Sequence, residues 1–340
     1  MIQINKKSKK VFKIAEIGVN HNGILKNALK LIDHAAKSGF DAVKFQTFDV
    51  DTMLLTDTKL AKYQKKTKFK SMREMLKKLS LTEDNFYKIK AYCKKKRIIF
   101  ISTPFDIKSA EFLNKLNVSI FKIASSDLDN YLLLKKIKSF KKPMIISTGM
   151  SNMKEIKNTL NFLKLPKDKL IIMHCISEYP TKLDESQLGF IKELKKLKYP
   201  IGLSDHTMGF ESSIASTALG INIIEKHITL DNKMHGPDHQ SSMHIKHLTK
   251  FVKTIDDIVK SLHIGGRTIS KDEKETSKVA KKALYFSRSL RKNKKINLND
   301  LISLRPLGNG ISPSQYNFFI GRKLRRNIKK FQILKKSDFI

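Results

Sequence analysis

Short apolar runs recur along the chain, and most are separated from the next by room for one helix. Eight such runs lie at residues 11–17, 42–45, 98–101, 120–123, 144–146, 170–173, 201–203 and 221–224. Nearly every run carries or precedes a polar residue suited to chemistry. Eight strand–helix units are what a closed (β/α)8 barrel requires, and its active site lies at the C-terminal ends of the strands. The pattern therefore predicts this α/β fold, a TIM barrel, with its chemistry where the runs end.

The segments between the runs include two clear amphipathic helices. Residues 24–38 place Leu25, Ile32 and Ala35 on one face and end at Gly39, and residues 245–262 repeat the same spacing. Residues 48–81 are long for a strand–helix loop and rich in lysine. This loop either shapes the active face or is a plain surface excursion.

The composition and the apolar pattern of the chain change after Gly266. Residues 267–283 are charged with few apolar positions, which is typical of a linker that is helical in part. Residues 284–340 contain brief apolar runs separated by turns such as Gly308-Asn309-Gly310, which predict short strands. We therefore expect a barrel domain over 1–266, a linker over 267–283 and a small second domain over 284–340.

Composition restricts the class of protein further. The chain has 340 residues, 40% of them hydrophobic, and a formal net charge of +37. Such a charge suits a binder of nucleic acid or anionic membrane, or else a surface covered with lysine. We favour the lysine-covered surface, since the lysines spread over many helices, aromatic residues do not alternate with them and no zinc-finger, RRM or KH signature is present. Neither nucleic acid nor membrane is an expected partner.

Cysteine use and the apolar run lengths indicate a cytoplasmic protein. Cys93 and Cys175 are far apart and outside any CxxC motif, which favours a reducing compartment. Residues 1–10 are polar and basic without the apolar core of a signal peptide. No apolar run reaches the length of roughly 18–20 residues that a bilayer span requires.

Two histidines at neighbouring strand ends predict a metal site. His206 follows the seventh run and His227 the eighth, and adjacent barrel strands lie about 4.8 Å apart. Asp205 and Glu225 lie beside them. Two imidazoles, with water or substrate in the other positions, suit Mn²⁺, Zn²⁺ or Fe²⁺, and the residues alone leave the choice open.

Hydrogen-bond donors follow the other strands and predict an anion site at the same barrel mouth. They are Lys44, Thr103, Lys122, Ser125, Ser147 and Ser204. Such a ring would hold a phosphate and a carboxylate. Glu16 lies inside an apolar strand, where an unpaired carboxylate is costly, so we expect it to meet a cation, a hydroxyl or the metal. Cys175 is adjacent to His174, and we expect it to pack.

At these residues the chain resembles the sialic acid synthase family. The matching stretches are AEIGVNHNG (15–23), VKFQT (43–47), STPF (102–105), FKIASSD (121–127), ISTGM (146–150), EYPT (178–181), GLSDHTMG (202–209) and EKHITLDNKMHGPDHQSS (225–242). RPLGNGIS (305–312) and IGRKLRRNIKKFQILKKSDF (320–339) resemble its C-terminal antifreeze-like, or SAF, domain. The resemblance spans almost the whole chain, and the order of the motifs makes it specific.

The resemblance implies a role for each matching position. His206 and His227 match ligands of a divalent metal, usually Mn²⁺, and Glu16 and Glu225 match acidic residues beside the reacting carbons. Residues matching the phosphoenolpyruvate site are Lys44, Gln46, Thr103, Lys122, Ser125, Ser147 and Ser204. Those bearing on the sugar are Asp127, Ser177, Tyr179, Asp238 and Arg305. The family's Arg305 equivalent typically reaches the barrel of a partner in a domain-swapped homodimer.

The implied reaction joins phosphoenolpyruvate to an N-acylated hexosamine. The first expectation is N-acetylmannosamine as acceptor, giving N-acetylneuraminate and phosphate. Asp127 and Ser177 stand where neuraminate-making members often carry glutamate and asparagine. The alternative is a legionaminic acid synthase, which uses 2,4-diacetamido-2,4,6-trideoxymannose. A metal-dependent pyruvate aldolase, a basic nucleic-acid-binding protein and an ice-binding module are the less favoured interpretations.

Overall fold

The structure, a computed structural model, describes residues 10–56, 58–61, 64, 67, 69–262 and 266–340. The chain divides into two compact units, residues 1–263 and 264–340. The basic segment before Lys10, Gly265 and some positions of the loop at 48–81 lie outside the described residues.

Within the described residues, eight parallel strands close into a barrel, as predicted. They are β1 (Phe12–Gly18), β2 (Ala42–Thr47), β3 (Ile99–Pro104), β4 (Phe121–Ile123), β5 (Met144–Ser147), β6 (Leu170–Cys175), β7 (Ile201–Asp205) and β8 (Ile223–Thr229). Each strand pairs with the next in sequence, and β1 pairs with β8 to close the sheet. A short strand, β9 (Met243–His244), adds to the end of β8.

Helices surround the barrel and follow the apolar spacing of the sequence. They are α1 (Leu25–Ser38), α2 (Val50–Met53), α3 (Met72–Leu79), α4 (Glu83–Lys95), α5 (Ile107–Lys115), α6 (Tyr131–Ser139), α7 (Met153–Leu163), α8 (Phe190–Lys196), α9 (Glu211–Ala218) and α10 (Leu248–Ser261). Helix α1 buries Ala28, Leu31, Ile32 and Ala35 and ends at Gly39, whose left-handed conformation closes the last turn. Both helices predicted from spacing, at 24–38 and 245–262, are confirmed.

The strands are apolar on both faces because each face meets protein. Side chains on one face pack in an inner cluster that includes Ile14, Ile101, Ile145 and Ile223. The other face packs against the helices in a larger cluster. Burial on both sides explains the unbroken apolar runs, which lack the alternation of half-exposed strands. The polar residues that end the runs are left to line the C-terminal mouth.

The C-terminal unit contains one helix, α11 (Lys271–Ala280), and two antiparallel strands, β10 (Ala283–Phe286) and β11 (Leu301–Leu304), with 3-10 turns among its described residues. Helix α11 therefore lies within the predicted linker. The unit has an internal repeat. Arg288 binds the buried Asp300 as Arg326 binds the buried Asp338. Leu290 and Ile328, each two positions after one of these arginines, exchange reciprocal backbone hydrogen bonds of 3.0 and 2.8 Å.

No helix in the described part of the chain combines the length and apolar character that a membrane span demands.

Candidate active site

A cavity of about 420 Å³ opens at the C-terminal ends of the barrel strands. The predicted residues that line it are Glu16, Lys44, Gln46, Thr103, Lys122, Ser125, Ser147, Ser177, Tyr179, Ser204, His206, Glu225, His227 and Asp238. They come from every barrel strand or the segment that follows it. The barrel thus brings together the predicted catalytic, anion and metal residues with three of the five predicted sugar residues.

Two buried lysines and two buried glutamates form the floor of this cavity. Lys44 Nζ lies 2.8 Å from Glu16 Oε2, because β1 and β2 pair these two residues in register. Glu225 Oε1 lies 3.7 Å from Lys44 Nζ and 3.7 Å from Lys122 Nζ. The four charges balance, which lets ionised groups persist at a depth where a lone charge would be costly.

The surroundings shift the pKa values of the two carboxyl groups in opposite directions. Burial raises the pKa of Glu16 to about 7, although Lys44 opposes the rise. Burial also acts to raise the pKa of Glu225, but Lys122 and Lys44 outweigh it and lower that pKa. For Lys122, burial lowers the pKa, and the like charge of Lys44 adds to the effect. One cavity therefore holds two carboxyl groups with unlike proton affinity, as acid–base chemistry requires.

Hydroxyl groups surround the lysines and complete a ring of polar atoms. Ser147 Oγ accepts a hydrogen bond of 2.6 Å from Lys122, and Thr103 Oγ1 accepts one of 3.2 Å from Lys44. Ser204 Oγ donates to Glu225 Oε1 at 2.9 Å. The Gly149 N–H donates to Ser125 Oγ at 3.0 Å. A Cβ at Gly149 would lie only 2.3 Å from the Ser177 hydroxyl, so glycine permits this close packing.

His206 and His227 lie side by side, with ring centroids 5.5 Å apart. His206 Nδ1 is 2.7 Å from the carbonyl oxygen of Ile176, so Nδ1 carries a hydrogen and the neutral form of the ring has its lone pair on Nε2. His227 Nδ1 is buried and has no hydrogen-bond partner among the described residues. Burial lowers the pKa of His227 well below its usual range, which favours the neutral ring.

This pair fits a divalent transition metal held by few protein ligands. A neutral ring with an unpartnered nitrogen and a second ring with an oriented lone pair are what such an ion needs. No group of three or more His, Cys, Asp or Glu side chains in the described ranges forms a fuller ligand set. The remaining coordination positions would belong to substrate or water.

Behind the histidines, a buried ion pair joins strands β7 and β8. Lys226 Nζ donates to Asp205 Oδ2 at 2.8 Å and to the Thr207 carbonyl at 2.8 Å. Ser213, on α9, donates to the same carboxylate oxygen at 2.6 Å. Each partner is the chain neighbour of one histidine. The pair therefore holds the backbone that carries both rings.

Two predicted sugar contacts lie elsewhere. Asp127 does not line this cavity. It lies in the 3-10 turn Ser125–Asp127, binds Asn130 at 2.9 Å and faces a neighbouring cavity beside Leu132. Arg305 belongs to the C-terminal unit, where it is exposed at a groove formed with Pro306 and helix α11. Its reach toward a barrel mouth stays a prediction.

Two features of the cavity were not predicted from the sequence. Cys175 was expected to pack, yet it lines the cavity with its Sγ 3.8 Å from His206 Nδ1, while His174 turns outward to the Ser186 carbonyl. The second feature is an apolar wall supplied by Val19, Phe48, Met53, Met72, Met75, Leu76 and Phe105. Most of it comes from the loop at 48–81, so those described residues shape the site. The methionines in the sequence of that loop could have indicated this apolar wall.

Comparison with known proteins gives one consistent result. The NeuB family model matches residues 31–266, and the SAF domain model matches residues 281–340. The N,N′-diacetyllegionaminic acid synthase of Campylobacter jejuni is 39% identical over 96% of this chain and 99% of its own length. The enzyme of the same name from Legionella pneumophila is 37% identical over 93% of this chain and 91% of its own.

A solved structure agrees with these relatives. The N-acetylneuraminic acid synthetase of Leptospira borgpetersenii, in complex with citrate, is 33% identical with a TM-score of 0.70, over 79% of this chain and 91% of its own. Because the family model covers most of the barrel and the relatives align along nearly the whole length, this chain belongs to the NeuB family of nonulosonic acid synthases.

Proposed function

We propose that the chain condenses phosphoenolpyruvate with 2,4-diacetamido-2,4,6-trideoxymannose, in the cytoplasm, to give N,N′-diacetyllegionaminic acid and phosphate. The observation that carries the proposal is the division of one cavity into a floor with two buried lysines and an apolar wall. Lys44 and Lys122 with their hydroxyl neighbours suit a small molecule bearing phosphate and carboxylate. Phosphoenolpyruvate has both groups within three carbon atoms.

The apolar wall supports the diacetamido acceptor over N-acetylmannosamine. This acceptor carries a methyl group at C6 and a second acetyl group, where N-acetylmannosamine carries two hydroxyls. Placing a hydroxyl against Met53, Met72 and Met75 without a partner would cost about 1–3 kcal/mol. The two relatives at 39% and 37% identity, both named as N,N′-diacetyllegionaminic acid synthases, support the same choice.

In the proposed mechanism, the protein positions three reactants. C3 of phosphoenolpyruvate attacks the aldehyde carbon of the open-chain sugar, whose oxygen takes up a proton. Water adds at C2 and loses a proton, and phosphate leaves as the C2–O bond to it breaks. Glu16 and Glu225, on either side of Lys44, are placed to exchange these protons. Lys44 and Lys122 hold the negative charge of phosphate and carboxylate throughout.

His206 and His227 would hold the divalent ion, which when bound supplies Lewis acidity at the aldehyde oxygen. Tyr179, with its ring centroid 4.1 Å from that of His206, is placed to pack against the sugar beside them. Asp238 reaches the cavity from the segment after β8 and is placed to bind a sugar hydroxyl.

The test is phosphate release with two acceptors under matched conditions. We expect kcat/KM for the diacetamido sugar to exceed that for N-acetylmannosamine by about five- to over a hundredfold, as one unpartnered buried hydroxyl at about 1–3 kcal/mol implies. Equal or better use of N-acetylmannosamine would overturn the acceptor assignment. Pyruvate in place of phosphoenolpyruvate is the control for the aldolase interpretation, and carbon–carbon bond formation with pyruvate would overturn the reaction class.

A further inference from the structure

The motif Asn20-His21-Asn22-Gly23 is unused by the proposed mechanism, although it is polar and largely buried. It forms the turn between β1 and α1, and Asn20 and His21 are almost fully buried. In the described structure none of the four residues lines the cavity. Burying polar side chains is costly unless their hydrogen bonds are made, so their partners indicate what the motif does.

Asn20 binds both β8 and the segment that follows it. Its Nδ2 donates to the Ile228 carbonyl at 2.9 Å and to Ser242 Oγ at 2.8 Å. Ser242 Oγ in turn donates to the backbone carbonyl of Asp238 at 2.6 Å. One chain of hydrogen bonds therefore leads from the β1 turn to Asp238, across the seam where β1 and β8 close the barrel.

Asn22 makes a second attachment to the same segment. Its Oδ1 lies 3.0 Å from His239 Nε2, and an amide oxygen only accepts, so Nε2 carries the hydrogen. His239 Nδ1 then accepts from Thr229 Oγ1 at 2.7 Å. A Cβ at Gly236 would lie 2.6 Å from the His239 ring and 3.1 Å from Asn22 Oδ1. The segment is thus packed closely over this pair.

The contacted residues His239 and Ser242 follow Asp238 closely in the chain, and Ser242 also binds the Asp238 carbonyl. We infer that Asn20 and Asn22 are positioning residues, which attach the segment 231–242 to the turn after β1. This attachment fixes the position of the Asp238 carboxylate in the cavity, where the proposed function has it bind the sugar. The inference rests on the proposed function, which assigns Asp238 to the sugar. It adds a role for a motif that touches neither substrate.

The clearest variant removes one attachment without straining the backbone. Asn22 has φ of 55°, a left-handed conformation that glycine adopts freely, so Asn22→Gly deletes the amide alone. Asn117 has the same φ of 55° in an exposed turn elsewhere in the barrel, and Asn117→Gly is the matched control. Asn22→Asp retains the accepting oxygen and should restore the wild-type behaviour. Ser242→Ala breaks the other attachment independently.

We expect the variants to change KM for the sugar and to leave KM for phosphoenolpyruvate nearly unchanged. Losing one hydrogen bond that holds Asp238 should raise KM for the diacetamido sugar about five- to tenfold in Asn22→Gly and Ser242→Ala, with KM for phosphoenolpyruvate within about twofold of wild type. Asn117→Gly should leave both unchanged. A rise in both KM values together, or in neither, would overturn the inference.

Hydrogen–deuterium exchange on the intact protein separates this inference from the proposed function. Asn22→Gly and Ser242→Ala should speed amide exchange in residues 231–242 while β1 to β7 keep wild-type protection. Wild-type protein that releases no phosphate with either sugar would refute the proposed function, and exchange would still test the attachment. Unchanged exchange in both variants would overturn the attachment even in an active enzyme.

Discussion

Replacing Lys122 with methionine removes a buried charge while keeping the length of the side chain. Lys122 Nζ is 2.6 Å from Ser147 Oγ and 3.7 Å from Glu225 Oε1. After the change, Glu225 keeps the 2.9 Å bond from Ser204 and the 3.7 Å contact with Lys44. The floor then holds two carboxyl groups and one lysine, so the two anionic groups of phosphoenolpyruvate would lose one of the two cations proposed to bind them.

The expected loss is large and confined to one substrate. A hydrogen bond to a charged partner contributes about 1.5–3 kcal/mol, so KM for phosphoenolpyruvate should rise about ten- to over a hundredfold. KM for the sugar should move far less, because the acceptor is neutral. Phosphate release at varied phosphoenolpyruvate and saturating sugar measures the first value, and the reverse titration measures the second.

Lys13 is the matched control for this experiment. It is also buried and in β1, but near the opposite end of the strand from Glu16, where its Nζ lies 2.6 Å from Asp256 Oδ1. Lys13→Met should lower the melting temperature and leave KM for phosphoenolpyruvate unchanged. The assignment of Lys44 and Lys122 to phosphoenolpyruvate is refuted if Lys122→Met and Lys44→Met both keep the wild-type response to phosphoenolpyruvate while staying folded.

The remaining predictions concern the metal and the C-terminal unit. Protein treated with EDTA should lose activity and regain it with Mn²⁺, and His206→Ala or His227→Ala should abolish Mn²⁺ binding in a calorimetric titration; full turnover without metal would contradict this. Lys226→Met should weaken Mn²⁺ binding because it breaks the ion pair with Asp205 behind the histidines, whereas unchanged affinity would limit that pair to the fold. Mixing Arg305→Ala with His206→Ala subunits should restore part of the activity if Arg305 serves a partner's barrel, and an inactive mixture after confirmed subunit exchange would exclude the swapped arrangement.

Most of the residues that line the barrel cavity could be predicted, because nearly every strand has a polar residue at or near its C-terminal end. Apolar runs indicate strands buried on both faces, and in parallel strands the residues that end the runs must meet at one mouth. Thus Lys44, Lys122, His206 and His227, distributed over four strands, line one cavity. The pairing of neighbouring strands sets the distances between these residues, so their grouping in one cavity could be predicted without knowledge of the tertiary contacts.

The direction in which side chains point, at the strand ends and in the turns after them, could not be predicted from the sequence. Asp127 lies two positions after Ser125, but the 3-10 turn between them directs Ser125 into the cavity and Asp127 into the neighbouring one. Cys175 and His174 obey the alternation of a strand, yet which of them faces inward depends on the tilt of β6 in the closed barrel. The proposed choice of the diacetamido sugar over N-acetylmannosamine likewise depends on which loop side chains turn into the cavity.

The sequence by itself determined the number of barrel strands, their order and the polar residue at or after nearly every strand end, because periodicity and burial are local properties of the chain. Only the tertiary structure decided the contacts across the barrel seam, such as Asn20 with Ser242, which are 222 positions apart. It also decided the reciprocal pairing of Leu290 with Ile328 in the C-terminal unit. Such contacts depend on how strands and segments stagger when the chain closes on itself, and spacing along the sequence contains no record of that stagger.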